Sequence, residues 1–516
     1  MTGVEPRRSC VAFRWGTAPA EGAMPSRRGS EGPGGRAGPC ADGAAGDAPQ
    51  LGSVDEPRAR IVIIGGGPGG YEAALVAAQL GARVTVVDRD GLGGACVLTD
   101  CVPSKTLIAT SGMMAALDDS AALGIRYGSR GTAAASVDAP RLYSRVLALA
   151  RAQSGDVAGR LAAEGVEVVS GAGRLVGPRT VAVGGTEISA DIVLVATGAR
   201  PRLLPGAVPD GKRILTCRQL YDLDELPGEL IVVGSGVTGA EVASAYQALG
   251  SQVTLVSSRD RVLPSEDADA AMVVEDVFRR RGMTVLSRSR AASANATGDG
   301  VTVMLEDGRT VRGSHCLLTV GMVPNSGGLG LEEGGITQDG GGFIPVDRVS
   351  RTSAPGVYAA GDCTGVMMLA SVAAMQGRIA MWHGLGEAVQ PLRLSHVAMT
   401  VFTEPEIATV GVSQQAVASG EADALVVKLP LATNARAKMQ GFGDGFVKLF
   451  ARRNSGMVLG GVVVAPRASE LILGVSLAVE QHLTVDEMAH TFAVYPSLSG
   501  SITEAARRLM RPAGRD

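Results

Sequence analysis

A chain of 516 residues with 46% hydrophobic and 19% charged side chains and a net charge of −3 is too long for a single core. Its charge is too balanced and scattered to suit capture of nucleic acid or an anionic membrane. Seven cysteines with one close pair, Cys96 and Cys101, do not make a secreted disulfide framework, and no apolar run is long enough to span a bilayer, so small-molecule partners and a cytoplasmic location are expected.

Residues 1–58 are rich in Gly, Ala, Arg and Pro and show no apolar periodicity, so they are expected to be a disordered extension. Arg7-Arg8 is followed by "SCVAFRWGTAPAEG", which contains Arg14 and no sustained apolar stretch, so no export signal is expected. Translation from Met24 or later would account for this segment equally well.

From Ala59 an internal repeat sets in. "RIVIIGGGPGGYEAALVAAQLGARVTVVDRD" (Arg60 to Asp90) recurs in form as "ELIVVGSGVTGAEVASAYQALGSQVTLVSSRD" (Glu229 to Asp260). Gly65 precedes Gly81 by 16 positions and Asp88 by 23, and Gly234 stands at the same distances from Gly250 and Ser257. Each copy predicts an apolar strand, a G-x-G-x-x-G turn, an Ala-rich helix and a β-branched strand. One such turn is weak evidence, but two with matched spacing predict two dinucleotide-binding units. Gly65 and Gly234 permit the tight turn, Gly67 and Gly236 let backbone approach a pyrophosphate, and Gly70 and Gly239 let helix pack on strand. The helix N-terminus then offers free N–H groups and a positive dipole end.

The end of the second strand selects the ribose. Asp88 is placed to accept from ribose hydroxyls, which suits FAD or NAD and repels a 2′-phosphate. The second copy has Ser257 there, followed by Ser258, Arg259 and Arg261, a set that would welcome the 2′-phosphate of NADPH, with NADH as an alternative donor. The other reading of the two arginines is a solvated loop.

Between the copies lies "GGACVLTDCVPSK" (Gly93 to Lys105), which spaces Cys96 and Cys101 as a redox pair would. Asp100 next to Cys101 disfavours a thiolate there, or else it interacts with a helix N-terminus. Further on, "VLVATGARP" predicts a strand feeding the turn Thr197-Gly198, and "GVYAAGDCTG" a strand ending at Gly361-Asp362. That aspartate is placed to hydrogen-bond a polyol chain, its plainer role being a turn residue. Near the C-terminus stands "TFAVYPSLSG" (Thr491 to Gly500).

Taken together with "VFTEPEIATVGVS" (Val401 to Ser413) and "GDGFVKLF" (Gly443 to Phe450), these motifs resemble the pyridine nucleotide-disulfide oxidoreductase family, the group of dihydrolipoamide dehydrogenase and glutathione reductase, from about Arg60 to Met510. The resemblance implies an α/β fold: two doubly wound, Rossmann-like dinucleotide-binding domains plus a C-terminal α+β dimerisation domain that completes the partner subunit's active site in a homodimer. It places the FAD domain at 59–205 and 313–388, the NAD(P) domain at 206–312 and the interface domain at 389–516. It implies that Cys96 is the interchange thiol and Cys101 the thiol touching the flavin. Lys105 stands at the lysine beside flavin N5 and Glu241 at its ion-pair partner. Gly94 and Gly321 complete the implied cofactor contacts, and no metal is expected.

The family's disulfide reductases carry a His-Pro pair with a Glu five positions after the His, where this sequence has Tyr495, Pro496 and Gly500. Thiol–disulfide exchange needs a thiolate, and a positioned base contributes about 10²–10⁴-fold in rate. Tyrosine, with an ordinary pKa near 10, is a poor replacement. Hydride transfer from NAD(P)H to FAD needs no such base. The pattern is similar to the actinobacterial-type NAD(P)H quinone reductase branch, which implies a flavoprotein that passes electrons from NADPH or NADH to a quinone. Because both cysteines remain, a disulfide reductase using the pair stays open, as do a protective disulfide and a soluble transhydrogenase.

Overall fold

The first glycine-loop unit folds as the strand Arg60–Ile64, the helix Pro68–Gln79 and the strand Arg83–Asp88, and the second as Glu229–Val233, Val237–Ala248 and Gln252–Val256. Four consecutive buried positions in each leading strand explain why the apolar runs are continuous rather than alternating, since both faces of each parallel sheet are covered, one by helices and the other chiefly by a three-stranded antiparallel sheet. The computed structural model describes residues 58–125 and 135–510, so the expectation of disorder in the N-terminal extension lies outside the described residues except for Arg58.

Around the first unit a five-stranded parallel sheet runs in the order Val357–Ala359, Ile192–Val195, Arg60–Ile64, Arg83–Asp88, Glu167–Ser170. Ile61 and Ile63 face the helix side with Ala73 and Ala77, while Val62 and Ile64 face Leu175, Val181 and Ile344, as the period of two requires. A second five-stranded parallel sheet runs Thr284–Leu286, Gln252–Val256, Glu229–Val233, His315–Leu318, Ile214–Leu215. The chain leaves the first sheet after Ile192–Val195 and returns to it only at Val357–Ala359. The exit and the return pair antiparallel as Ala199–Pro201 against Met322–Pro324.

A third, antiparallel sheet runs Met399–Val401, Glu406–Gly411, Val458–Ala465, Phe446–Arg452, Ala424–Pro430, with the helices Ala468–Glu480 and Gly500–Leu509 packed on it. Its other face shares one buried cluster with the second sheet: Phe446, Phe450 and Val464 pack together with Ala270, Val274 and Phe278 of the helix Ala268–Arg280. Within that cluster Lys448, 1% exposed, places its Nζ 2.9 and 2.8 Å from the two carboxylate oxygens of Asp267 and 2.8 Å from Asp269. Asp267 also caps that helix, accepting from the N–H groups of Asp269 and Ala270.

Candidate active site

The first glycine loop is built without spare room. Gly65 has φ +108° and a Cβ there would lie 2.3 Å from the Ala196 carbonyl oxygen, while one on Gly70 would lie 1.8 Å from the Gly65 oxygen. Gly67 opens the helix with no side chain capping it, so its first-turn N–H groups face outward as a phosphate cradle. The second loop repeats this geometry: Gly234 has φ +115°, a Cβ on Gly239 would sit 2.0 Å from the Gly234 oxygen, and Gly236 is likewise an uncapped helix start.

Above the first loop opens a cleft lined by Gly65, Gly67, Asp88, Gly94, Cys96 and Cys101, with Thr197, Gly198, Gly361 and Asp362 across from them. Residues more than 290 positions apart in sequence meet there because Arg60–Ile64, Ile192–Val195 and Val357–Ala359 are neighbouring parallel strands that end at one edge. Ligand sites in doubly wound sheets lie at such carboxyl ends. Asp88 already holds the loop: Oδ2 accepts from Gly66 N–H (2.6 Å) and Oδ1 from Asp90 and Gly91. The Thr197 hydroxyl donates to the Asn325 carbonyl at 2.8 Å, and the Asn325 amide returns a bond to the Thr197 carbonyl at 3.0 Å. The Gly361 N–H donates to Gln376 Oε1 at 2.8 Å, which fixes the turn before Asp362.

Cys96 sits on the short helix Gly94–Leu98 and Cys101 opens the helix Cys101–Asp119, and both thiols are free. A hydrogen bond from Cys101 lowers the Cys96 pKa, against burial and the charges of Asp100 and Asp362. The same bond, with burial, raises that of Cys101. One turn further on, Lys105 Nζ lies 2.8 Å from Glu241 Oε2 and 4.8 Å from the centroid of the Phe402 ring. Glu241, 3% exposed on the second glycine-loop helix, also accepts from Phe402 N–H through Oε1 at 2.9 Å. Burial works to lower the Lys105 pKa, but the charge and hydrogen bond of Glu241, joined by Cys101 and Asp100, outweigh it and the net shift is upward. Burial lifts the carboxyl of Asp362 to about 6, with Asp100 adding to it.

At the second loop Ser257 is fully buried, its hydroxyl 2.7 Å from that of Ser235, so it shapes the loop from beneath and does not face a ribose as expected. Ser258 and Arg259 are exposed at the strand end. Arg261 also departs from expectation: it turns inward and donates to the Pro264 carbonyl. The backbone N–H of Arg288, a further arginine near this strand end, donates to the Arg259 carbonyl at 2.7 Å. Gly321, with φ +101°, lies at the return crossing, where its carbonyl accepts from Arg202 N–H.

Tyr495 is not brought into the cleft of its own chain. It is 84% exposed on the third-sheet surface, beside Phe492 at 103% and Val494 at 77%. It borders a separate hollow with Asn434, Arg436, Gly500 and Glu504. Sequence reasoning missed Arg218 and Asn325 on the cleft wall and Gln376 behind Gly361. None of the three belongs to a spaced motif. Among the described residues no helix is long and apolar enough to cross a membrane, and no group of three or more His, Cys, Asp or Glu could hold a metal ion.

Residues 59–377 match the family model described as pyridine nucleotide-disulphide oxidoreductase, and residues 397–506 the model described as its dimerisation domain. The chain belongs to the pyridine nucleotide-disulfide oxidoreductase family, whose members are FAD-dependent and use NAD(P)H. A protein of Mycobacterium tuberculosis named NAD(P)H dehydrogenase (quinone) is 58% identical over 465 residues, which cover 87% of this chain and 94% of that protein. Dihydrolipoyl dehydrogenase of Geobacillus stearothermophilus is 33% identical over 456 residues, 86% of this chain and 95% of that one. Among solved structures, LpdA from Mycobacterium tuberculosis superposes with a TM-score of 0.83 at 57% identity, covering 88% of this chain and 100% of that one. The HOCl-induced flavoprotein disulfide reductase RclA from Escherichia coli gives 0.78 at 25% identity, covering 87% and 99%.

Proposed function

We propose that this chain is a cytoplasmic, homodimeric NAD(P)H:quinone oxidoreductase. The observation that carries the reading is a division within the site: the groups that serve hydride transfer are assembled, and the base that thiol exchange needs is missing. The uncapped loop at Gly67, with Asp88 and Asp362 lining the same cleft, fits FAD, and the uncapped loop at Gly236, with Ser258 and Arg259 exposed at the strand end, fits a nicotinamide nucleotide carrying a 2′-phosphate. FAD held there would supply the chemistry that accepts a hydride from a reduced nicotinamide and yields an electron pair to an acceptor. Lys105, held by Glu241, fixes a positive charge beside the cleft where electron density arrives.

A homodimer follows from the matched dimerisation domain and from the exposed apolar strip Phe492, Val494 and Tyr495, which a second copy would cover. That copy would bring Tyr495 and Gly500 to the position of the base dyad, and neither is a base of useful strength near neutral pH. The Mycobacterium tuberculosis relative named NAD(P)H dehydrogenase (quinone) supports the same acceptor. One observation favours a second reading, disulfide reduction: Cys96 and Cys101 are free, hydrogen-bonded to each other, and Cys96 is shifted toward the thiolate.

The two readings are separated by steady-state NADPH and NADH oxidation with menadione, a benzoquinone and lipoamide, in the wild type and in Tyr495→His/Gly500→Glu. Quinones are expected to be the better acceptors in the wild type, with lipoamide turnover rising about 10²-fold or more in the double variant. Wild-type lipoamide turnover that matches quinone turnover would refute the proposal.

A further inference from the structure

Quinone reduction poses a proton question that the family's usual dyad cannot answer here. NAD(P)H, a quinone and one proton give NAD(P)+ and a hydroquinone. The hydride carries both electrons and one proton, so the second proton has to reach a quinone oxygen from elsewhere. Tyr495 and Gly500 replace the groups that would handle it.

Asp100 stands on the cleft wall next to Cys101 and has no role in binding as described above. Although it is the residue before the helix Cys101–Asp119, its carboxylate does not cap that helix, and neither oxygen receives a hydrogen bond from any described residue. A carboxylate partly withdrawn from water at a cleft wall, with no donor to it, is shifted toward the neutral acid. Burial accordingly raises the Asp100 pKa, opposed by Lys105 and Arg218. The titratable groups around it are Cys96, Cys101, Cys217, Tyr221 and Asp362, each of which feels its charge. Asp362, another carboxyl lining this cleft, is placed at the strand end for the cofactor's polyol chain. Asp100 is on the side of the thiols and Lys105.

We propose that Asp100 is the proton donor to the acceptor: its O–H bond breaks as an O–H bond forms on the quinone oxygen, the electron pair having come from the nicotinamide, and solvent then reprotonates the carboxylate. This rests on the quinone reductase reading.

The test uses the FAD-loaded dimer and the variants Asp100→Asn and Asp100→Ser. Bleaching of the bound pigment by NADPH is followed separately from its reoxidation by menadione, each across pH, together with the infrared band of protonated carboxyl groups. Bleaching is expected to be unchanged. Reoxidation is expected to slow by about 10²-fold or more in both variants. In the wild type it should fall as pH rises through the Asp100 pKa, and in the variants that fall should vanish together with one protonated-carboxyl band. Wild-type reoxidation rates in both variants, or weakened pigment binding as their sole defect, would overturn the inference and leave the quinone reading standing. Slow menadione reduction by the wild type itself would overturn both.

Discussion

Lys105 and Glu241 come from different glycine-loop units, 136 positions apart, and meet at 2.8 Å with Glu241 almost wholly enclosed. Glu241 spends one oxygen on Lys105 and the other on the Phe402 N–H, so both partners of its charge are fixed. Removing the lysine leaves a buried carboxylate uncompensated, whereas neutralising both sides does not. Lys105→Met is therefore expected to lower stability to denaturant by about 3–5 kcal/mol. Lys105→Met/Glu241→Gln should recover most of that loss, because the glutamine oxygen still accepts from Phe402. Bleaching by NADPH should stay slow in both variants, since neither restores a positive charge at the cleft. Full recovery of that rate in the double variant would show that the ion pair acts only on stability.

The two glycine-loop units were legible in sequence because everything that defines them is local. The strand, turn and helix fall within about thirty positions, and the contacts that demand glycine, Gly70 against Gly65 and Gly239 against Gly234, lie inside one unit. The spacing of Cys96 and Cys101 was legible for the same reason, whereas Lys105 was marked only by the family resemblance. Ser257 was misread because spacing gives a residue's place on a strand but not what lies under it, and Ser235 of the neighbouring loop captures its hydroxyl. Arg218, Asn325 and Gln376 reach the site only through the order of strands, which no local pattern encodes. The clamp of Lys448 on Asp267 spans 181 positions and was equally invisible. It joins the strand Phe446–Arg452 to the helix Ala268–Arg280, so it ties the third sheet to the second. Lys448→Met would leave Asp267 buried with no cation, and calorimetry is expected to show about 3 kcal/mol or more of lost stability. A separate transition for the third sheet should also appear as the sheets uncouple. One unshifted transition would mean that the shared apolar cluster alone couples them.

At the scale of the whole molecule, the three five-stranded sheets divide the work. The edge of the first gathers the thiols, Asp362 and the glycine cradle, the second carries the other nucleotide loop and Glu241, and the third turns an apolar strip bearing Tyr495 away from its own cleft. On the proposed reading a second copy would finish the site, and changes at Tyr495 and Gly500 alone would remove its thiol chemistry with the hydride path untouched. The central claim is that electrons entering from NAD(P)H leave without passing through sulfur. Its most direct test is menadione reduction by Cys96→Ser/Cys101→Ser with the pigment still bound, compared with the wild type. The account predicts that turnover persists at a comparable rate while any lipoamide activity disappears, and loss of menadione turnover with the pigment retained would contradict it.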